Sequence, residues 1–192
     1  MVHGHDFLNE CAEICVRFEA YLIDDLAEEL HALRERGGRL FVLGVGGSAA
    51  NAGHCAADLR KLCGIEAYAP SDNVAELTAR ANDEGWDTIF SGWLRVSRMR
   101  TEDALLVLSV GGGAPGVSEC LVRAMEVAMV KKSKIFAILG RDDGFAARHA
   151  DIAIVIPQVN AARITPLAEA FQAVVWHALV SHPRLQINQT KW

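Results

Sequence analysis

The sequence predicts an α/β fold built on one doubly wound parallel sheet of five strands, and three observations lead there. Four short apolar runs, "RLFVLGV", "ALLVLSV", "KIFAILG" and "IAIVIP", lack polar alternation, as expected of strands buried on both faces. Segments of helical period separate most of them, which favours parallel pairing and puts ligands at the carboxyl ends of the strands. With 192 residues, 51% of them hydrophobic, the chain can bury one sizeable core, so residues 1–192 read as a single domain with 1–37 as an N-terminal helical extension.

In chain order, Leu8, Cys11, Ile14, Cys15, Phe18, Tyr21, Leu22, Leu26 and Leu30 recur at steps of three and four, predicting one helix from Phe7 to about Arg36, stopped by Gly37-Gly38. Its apolar face is broad for a peripheral helix, so part of it is expected to cover another subunit. The first strand follows at 39–45, then a helix over 48–63 and a weaker strand, "IEAYAP", at 65–70. Further helices are expected at 86–98, 116–131 and 163–181, around the strands at 104–110, 134–140 and 152–157.

A formal net charge of −5 provides no basic field for a phosphate backbone, which argues against nucleic acid as a direct ligand. The start, "MVHGHDFLNECAEICVRF", lacks a basic flank leading into an apolar run, and no stretch of about 18 apolar residues offers a membrane span; a soluble, cytoplasmic protein is expected. Five cysteines without a CxxC pairing argue against a disulfide framework or a zinc knot, and most of them read as small buried hydrophobes.

Two glycine turns stand at equivalent places, Gly44-Val45-Gly46-Gly47-Ser48 and Ser109-Val110-Gly111-Gly112-Gly113, each expected to follow a strand and open a helix. Glycine lets backbone amides approach an anion, and a helix N-terminus adds unpaired N–H groups, so a phosphate is the expected guest. The spacing is not that of a dinucleotide fingerprint, and no GK[ST] marks a triphosphate loop.

His54 and Asp58 are four apart on the helix behind the first turn and share one of its faces. Glu169 and His177 lie eight apart on the last helix, about 80° out of register, so the two converge only if Glu169 reaches across. If the two helices meet, these four side chains form an N2O2 site for zinc or a similar divalent metal, and the same groups could move protons. As structural pairings alone, His54 with Asp58 would be a buried hydrogen-bonded pair, Glu169 a helix-start acid and His177 a core histidine.

"GVGGSAANAGHCAADL", "ANDEGWDTIF", "LSVGGGAPGVS" and "EAFQAVVWH" together resemble the sugar isomerase (SIS) domain family, and within it the phosphoheptose isomerases, over nearly the whole chain. The resemblance implies a flavodoxin-like SIS fold, a homotetramer with sites between subunits, and an enediolate mechanism converting sedoheptulose 7-phosphate to a heptose 7-phosphate. It implies Asp58 as proton-transfer base and His177 as its acid or metal partner, with the two roles open to exchange. His54 and Glu169 would complete a metal site with them. Gly46, Gly47, Ser48, Asn51, Asn82, Asp83, Ser109, Gly111, Gly112 and Gly113 would contact the substrate. The family's first turn usually reads Gly-Asn-Gly-Gly-Ser, its helix carries glutamate where Asp58 stands, and its late helix has glutamine where Glu169 stands. Its second turn commonly reads Ser-Thr-Ser-Gly-Asn-Ser; here Ser109-Val110-Gly111-Gly112-Gly113-Ala114 lacks three of those hydroxyls. A non-catalytic sugar-phosphate-binding or assembly protein on the same fold is the alternative.

Overall fold

A computed structural model describes residues 2–190. Five strands, β1 (Leu40–Leu43), β2 (Ala67–Tyr68), β3 (Ala104–Ser109), β4 (Lys134–Leu139) and β5 (Ile152–Val155), form one wholly parallel sheet in the order β2-β1-β3-β4-β5. The chain winds outward from β1 to β2 and then crosses to β3 on the other side. The topological switch point therefore lies between β1 and β3, the two strands that carry the glycine turns.

Side chains alternate across the pleat and divide the interior into two layers. Leu40, Val42, Leu106, Leu108, Phe136 and Ile138 pack on one face with α2 (Tyr21–Glu35), α3 (Gly47–Cys63) and α8 (Ile164–Val180). Phe41, Leu43, Leu105, Val107, Ile135 and Ala137 pack on the other with α5 (Ile89–Val96) and α6 (Glu119–Lys131). Burial on both faces is why the three central strands read as unbroken apolar runs.

The helix expected over 7–36 is two helices, α1 (His3–Arg17) and α2. Phe18 leaves the helical region at ψ 132, with no glycine or proline to announce it. Packing accounts for the break: Glu10 on α1 is held by Asn160 at 2.7 Å and Arg163 at 3.0 Å, whereas α2 lies along α8 and β5, and one straight rod cannot serve both. Two further helices were not expected, α4 (Val74–Asp83), capped by the Asn73 side chain, and α7 (Phe145–His149), which is only five residues long. The second glycine turn does not open a helix. Residues 110–118 intervene, closed by a bridge between Ala114 and Val117, and α6 begins at Glu119 rather than near 116. No helix among the described residues is long and apolar enough to cross a membrane, and the five cysteines are all free thiols.

Candidate active site

The first turn places Gly46 at the cap of α3 with φ +63, a left-handed conformation that favours glycine. Gly47 follows at the head of α3, where the Glu169 carboxylate from α8 lies 2.5 Å from the place a Cβ would take. A buried polar ladder locks the two helices together. Gln172 is fully buried; its Nε2 donates to Ser48 Oγ at 3.1 Å and its Oε1 accepts from Asn51 Nδ2 at 3.0 Å. Asn51 donates also to the Glu169 carbonyl at 2.9 Å. Gln172 was not singled out in the sequence, although a glutamine on the apolar face of "EAFQAVVWH" is the signal that a buried polar contact must exist there.

The ladder sets the register that brings His54 and Asp58 on α3 to His177 on α8. One ligand atom from each of these three lies within 4.8 Å of the others. His54 Nε2 is 3.5 Å from Asp58 Oδ2, and the two histidine rings meet edge-on with centroids 5.6 Å apart. His177 Nδ1 lies 2.7 Å from the Ala173 carbonyl, which can only accept, so Nδ1 carries the proton and Nε2 presents its lone pair outward. Both histidines are exposed and Asp58 half-buried, which leaves the group open to a ligand. The set of two imidazoles and one carboxylate fits zinc or a similar ion and leaves a coordination position free. Cys55, between His54 and Asp58 in sequence, takes no part: it is fully buried, and burial raises its thiol far above the ordinary range.

Glu169 is not in this group, which corrects the expected convergence of four side chains. Eight residues of helix set it about 12 Å along α8 from His177, and its carboxylate lies beside Gly47 at the head of α3 instead. There it lines an open cleft of about 410 Å³ at the carboxyl ends of β1, β3 and β4, together with Ser48, Ser109, Gly111 and Gly113. Both cleft serines have their acceptor role filled, Ser48 by Gln172 and Ser109 by the Gly112 N–H at 3.0 Å, so their hydroxyl protons are free to donate to a guest. Gly46 and Gly112 shape the turns without lining the cleft. Asn82 and Asp83 stand exposed on the last turn of α4, bonded to each other at 2.7 Å, and do not line the cleft either. Arg141 and Asp143, after β4, do line it and were missed, because "GRDDG" reads as an ordinary turn.

A family model described as the SIS domain matches residues 6–140. The chain is 35% identical over 157 residues to the phosphoheptose isomerase of Chlorobaculum parvum, covering 78% of this chain and 73% of that one. It is 30% identical over 153 residues to that of Pelobacter propionicus, covering 77% and 78%. Among solved structures, the phosphoheptose isomerase GmhA from Neisseria gonorrhoeae superposes with a TM-score of 0.81 at 26% identity, covering 93% of this chain and 96% of that one.

Proposed function

This chain belongs to the SIS domain family, and from that premise we propose that it is a sugar-phosphate aldose–ketose isomerase converting sedoheptulose 7-phosphate to a heptose 7-phosphate. The observation that carries the reading is the meeting of His54, Asp58 and His177 within 4.8 Å, on two helices that also wall the cleft. Ser48 and His54 are six residues apart on α3, about 9 Å of helix, a span suited to a sugar whose phosphate lies in the cleft and whose reacting carbons lie at the triad.

Aldose–ketose conversion moves one proton between neighbouring carbons and another between their oxygens. Asp58 takes the carbon-bound proton from the ketose C1 and returns it to C2, by way of an enediolate. His177 faces the substrate oxygens with Nε2, and the Ala173 carbonyl holds that tautomer in place. His54 flanks Asp58 at 3.5 Å. Zinc or another divalent ion held by His54, Asp58 and His177 would supply Lewis-acid stabilisation to the developing negative charge. Glu169, from the cleft wall, orients sugar hydroxyls. The reading extends to a cytoplasmic homotetramer assembled through the 1–37 extension, where Leu8 is 68% and Val16 86% exposed on α1.

The test is incubation of the purified protein with sedoheptulose 7-phosphate, with and without added zinc, followed by NMR. Appearance of the aldose is expected; no conversion under either condition would remove this substrate.

A further inference from the structure

The cleft presents a charge problem to any phosphorylated sugar. Its charged lining consists of Arg141, Asp143 and Glu169, two carboxylates against one guanidinium. The second turn adds little: beyond Ser109 it offers Val110, Gly111, Gly112 and Gly113. To seat an anion here the lining must offer directed donors and shield a carboxylate; Arg141 pairs with Asp143 and still has N–H groups to give. Its Nε donates to Asp143 Oδ1 at 3.0 Å and its Nη2 to Oδ2 at 2.6 Å, a bidentate fork that cancels the Asp143 charge and fixes the plane of the guanidinium. Nη1 is not engaged by that fork, and the side chain is half exposed, so the remaining donors need no desolvation to reach a ligand.

The loop that carries Arg141 is tied to the second turn. Phe145 N–H donates to the Gly113 carbonyl at 2.8 Å and Ala146 N–H to the Gly112 carbonyl at 2.9 Å. Gly144 lies so close to the Gly111 carbonyl that any side chain at that position would collide with it. A second turn poor in hydroxyls thus serves as the seat of the arginine loop.

We propose that Arg141 is the anion-binding residue of this cleft, gripping the sugar's phosphate with its free guanidinium edge while the Ser48 and Ser109 hydroxyls donate alongside. The proposal rests on the isomerase reading for the identity of the sugar, and on the cleft alone for the binding of phosphate.

Two measurements test it separately. Inorganic phosphate is titrated into the wild-type protein, Arg141→Ala and Arg141→Lys, with binding followed by ³¹P NMR. Loss of a charged hydrogen bond predicts an affinity about 10- to 100-fold weaker for Arg141→Ala and partial recovery for Arg141→Lys, whose ammonium restores the charge without the fork. Absence of phosphate binding in the wild type, or equal affinity in Arg141→Ala, would overturn the proposal. Steady-state kinetics then compare sedoheptulose 7-phosphate with unphosphorylated sedoheptulose. Arg141→Ala should raise KM for the phosphorylated sugar by a similar factor and lower kcat/KM for the phosphorylated sugar about 10-fold or more beyond any loss on the unphosphorylated one. Equal losses on both sugars would overturn the phosphate role. If the wild type turns over neither sugar, the isomerase reading fails while the phosphate titration still decides the role of Arg141.

Discussion

Two acidic side chains, Asp103 and Asp58, are treated in opposite ways. Asp103, at the amino end just before β3, is fully buried and accepts four hydrogen bonds: from Arg39 N at 3.0 Å, Nε at 3.2 Å and Nη2 at 2.7 Å, and from Arg100 N at 2.9 Å. Asp58, on α3, is half-buried, and His54 approaches it at 3.5 Å, longer than a good hydrogen bond. The first carboxylate has every lone pair occupied and clamps the starts of β1 and β3 together. The second is left with capacity for a ligand. A saturated acid holds the fold, and an unsaturated one is available for chemistry.

The comparison breaks most readily at Asp58 and its neighbours. Asp58→Asn or His177→Ala should lower turnover by about 10²- to 10⁴-fold, the usual contribution of a positioned acid or base. Stability should stay within about 0.5 kcal/mol, because neither side chain is buried. NMR assay and urea unfolding on the same preparations measure both. At Asp103 the pattern reverses. Asp103→Ala leaves Arg39 without its partner and should cost about 3–5 kcal/mol in urea unfolding, with turnover per folded molecule preserved.

Gln172→Leu sharpens the comparison, since Gln172 belongs to both classes: fully buried, yet bonded to Ser48 in the cleft wall. It should cost about 1–3 kcal/mol of stability and also raise KM, because Ser48 loses the donor that fixes its hydroxyl. A loss of stability with KM unchanged would place the ladder wholly on the structural side.

The smallest effect concerns pH. Burial pushes the Asp103 carboxyl upward, but the hydrogen bonds from Arg39 and the Arg100 amide overcome this and hold it below the ordinary carboxylate value. A depressed folded value means that its stabilisation is complete above the unfolded pKa, about 3.9, and is lost as pH falls through the lower folded value. Melting temperature should therefore fall on acidification below about pH 4. Asp103→Asn should flatten that limb, and an unchanged slope would show that other carboxylates dominate it.

Strand positions were legible because burial on both faces leaves an apolar run that no surface segment imitates, as "ALLVLSV" does for β3. Strand order, and with it the switch-point placement of both turns, was not legible, because it depends on which strands pair across long stretches of chain. The helix break at Phe18 was not legible: α1 and α2 share one apolar period, and the turn between them is set by the Glu10 contacts some 150 residues away in sequence. His54, Asp58 and His177 could be named because rare polar side chains interrupt small or apolar helix faces. Glu169 fitted the same pattern, but helix pitch sends it to the cleft. Arg141 escaped notice because its importance comes from the company it keeps in space, a cleft otherwise short of positive charge.

Conversion of sedoheptulose 7-phosphate in D2O by wild-type and Asp58→Asn protein, read by ¹H NMR, tests the central claim most directly. The wild type should form the aldose, and the folded variant should be inert or nearly so. Equal rates from the two proteins would remove Asp58 from the chemistry and contradict the account.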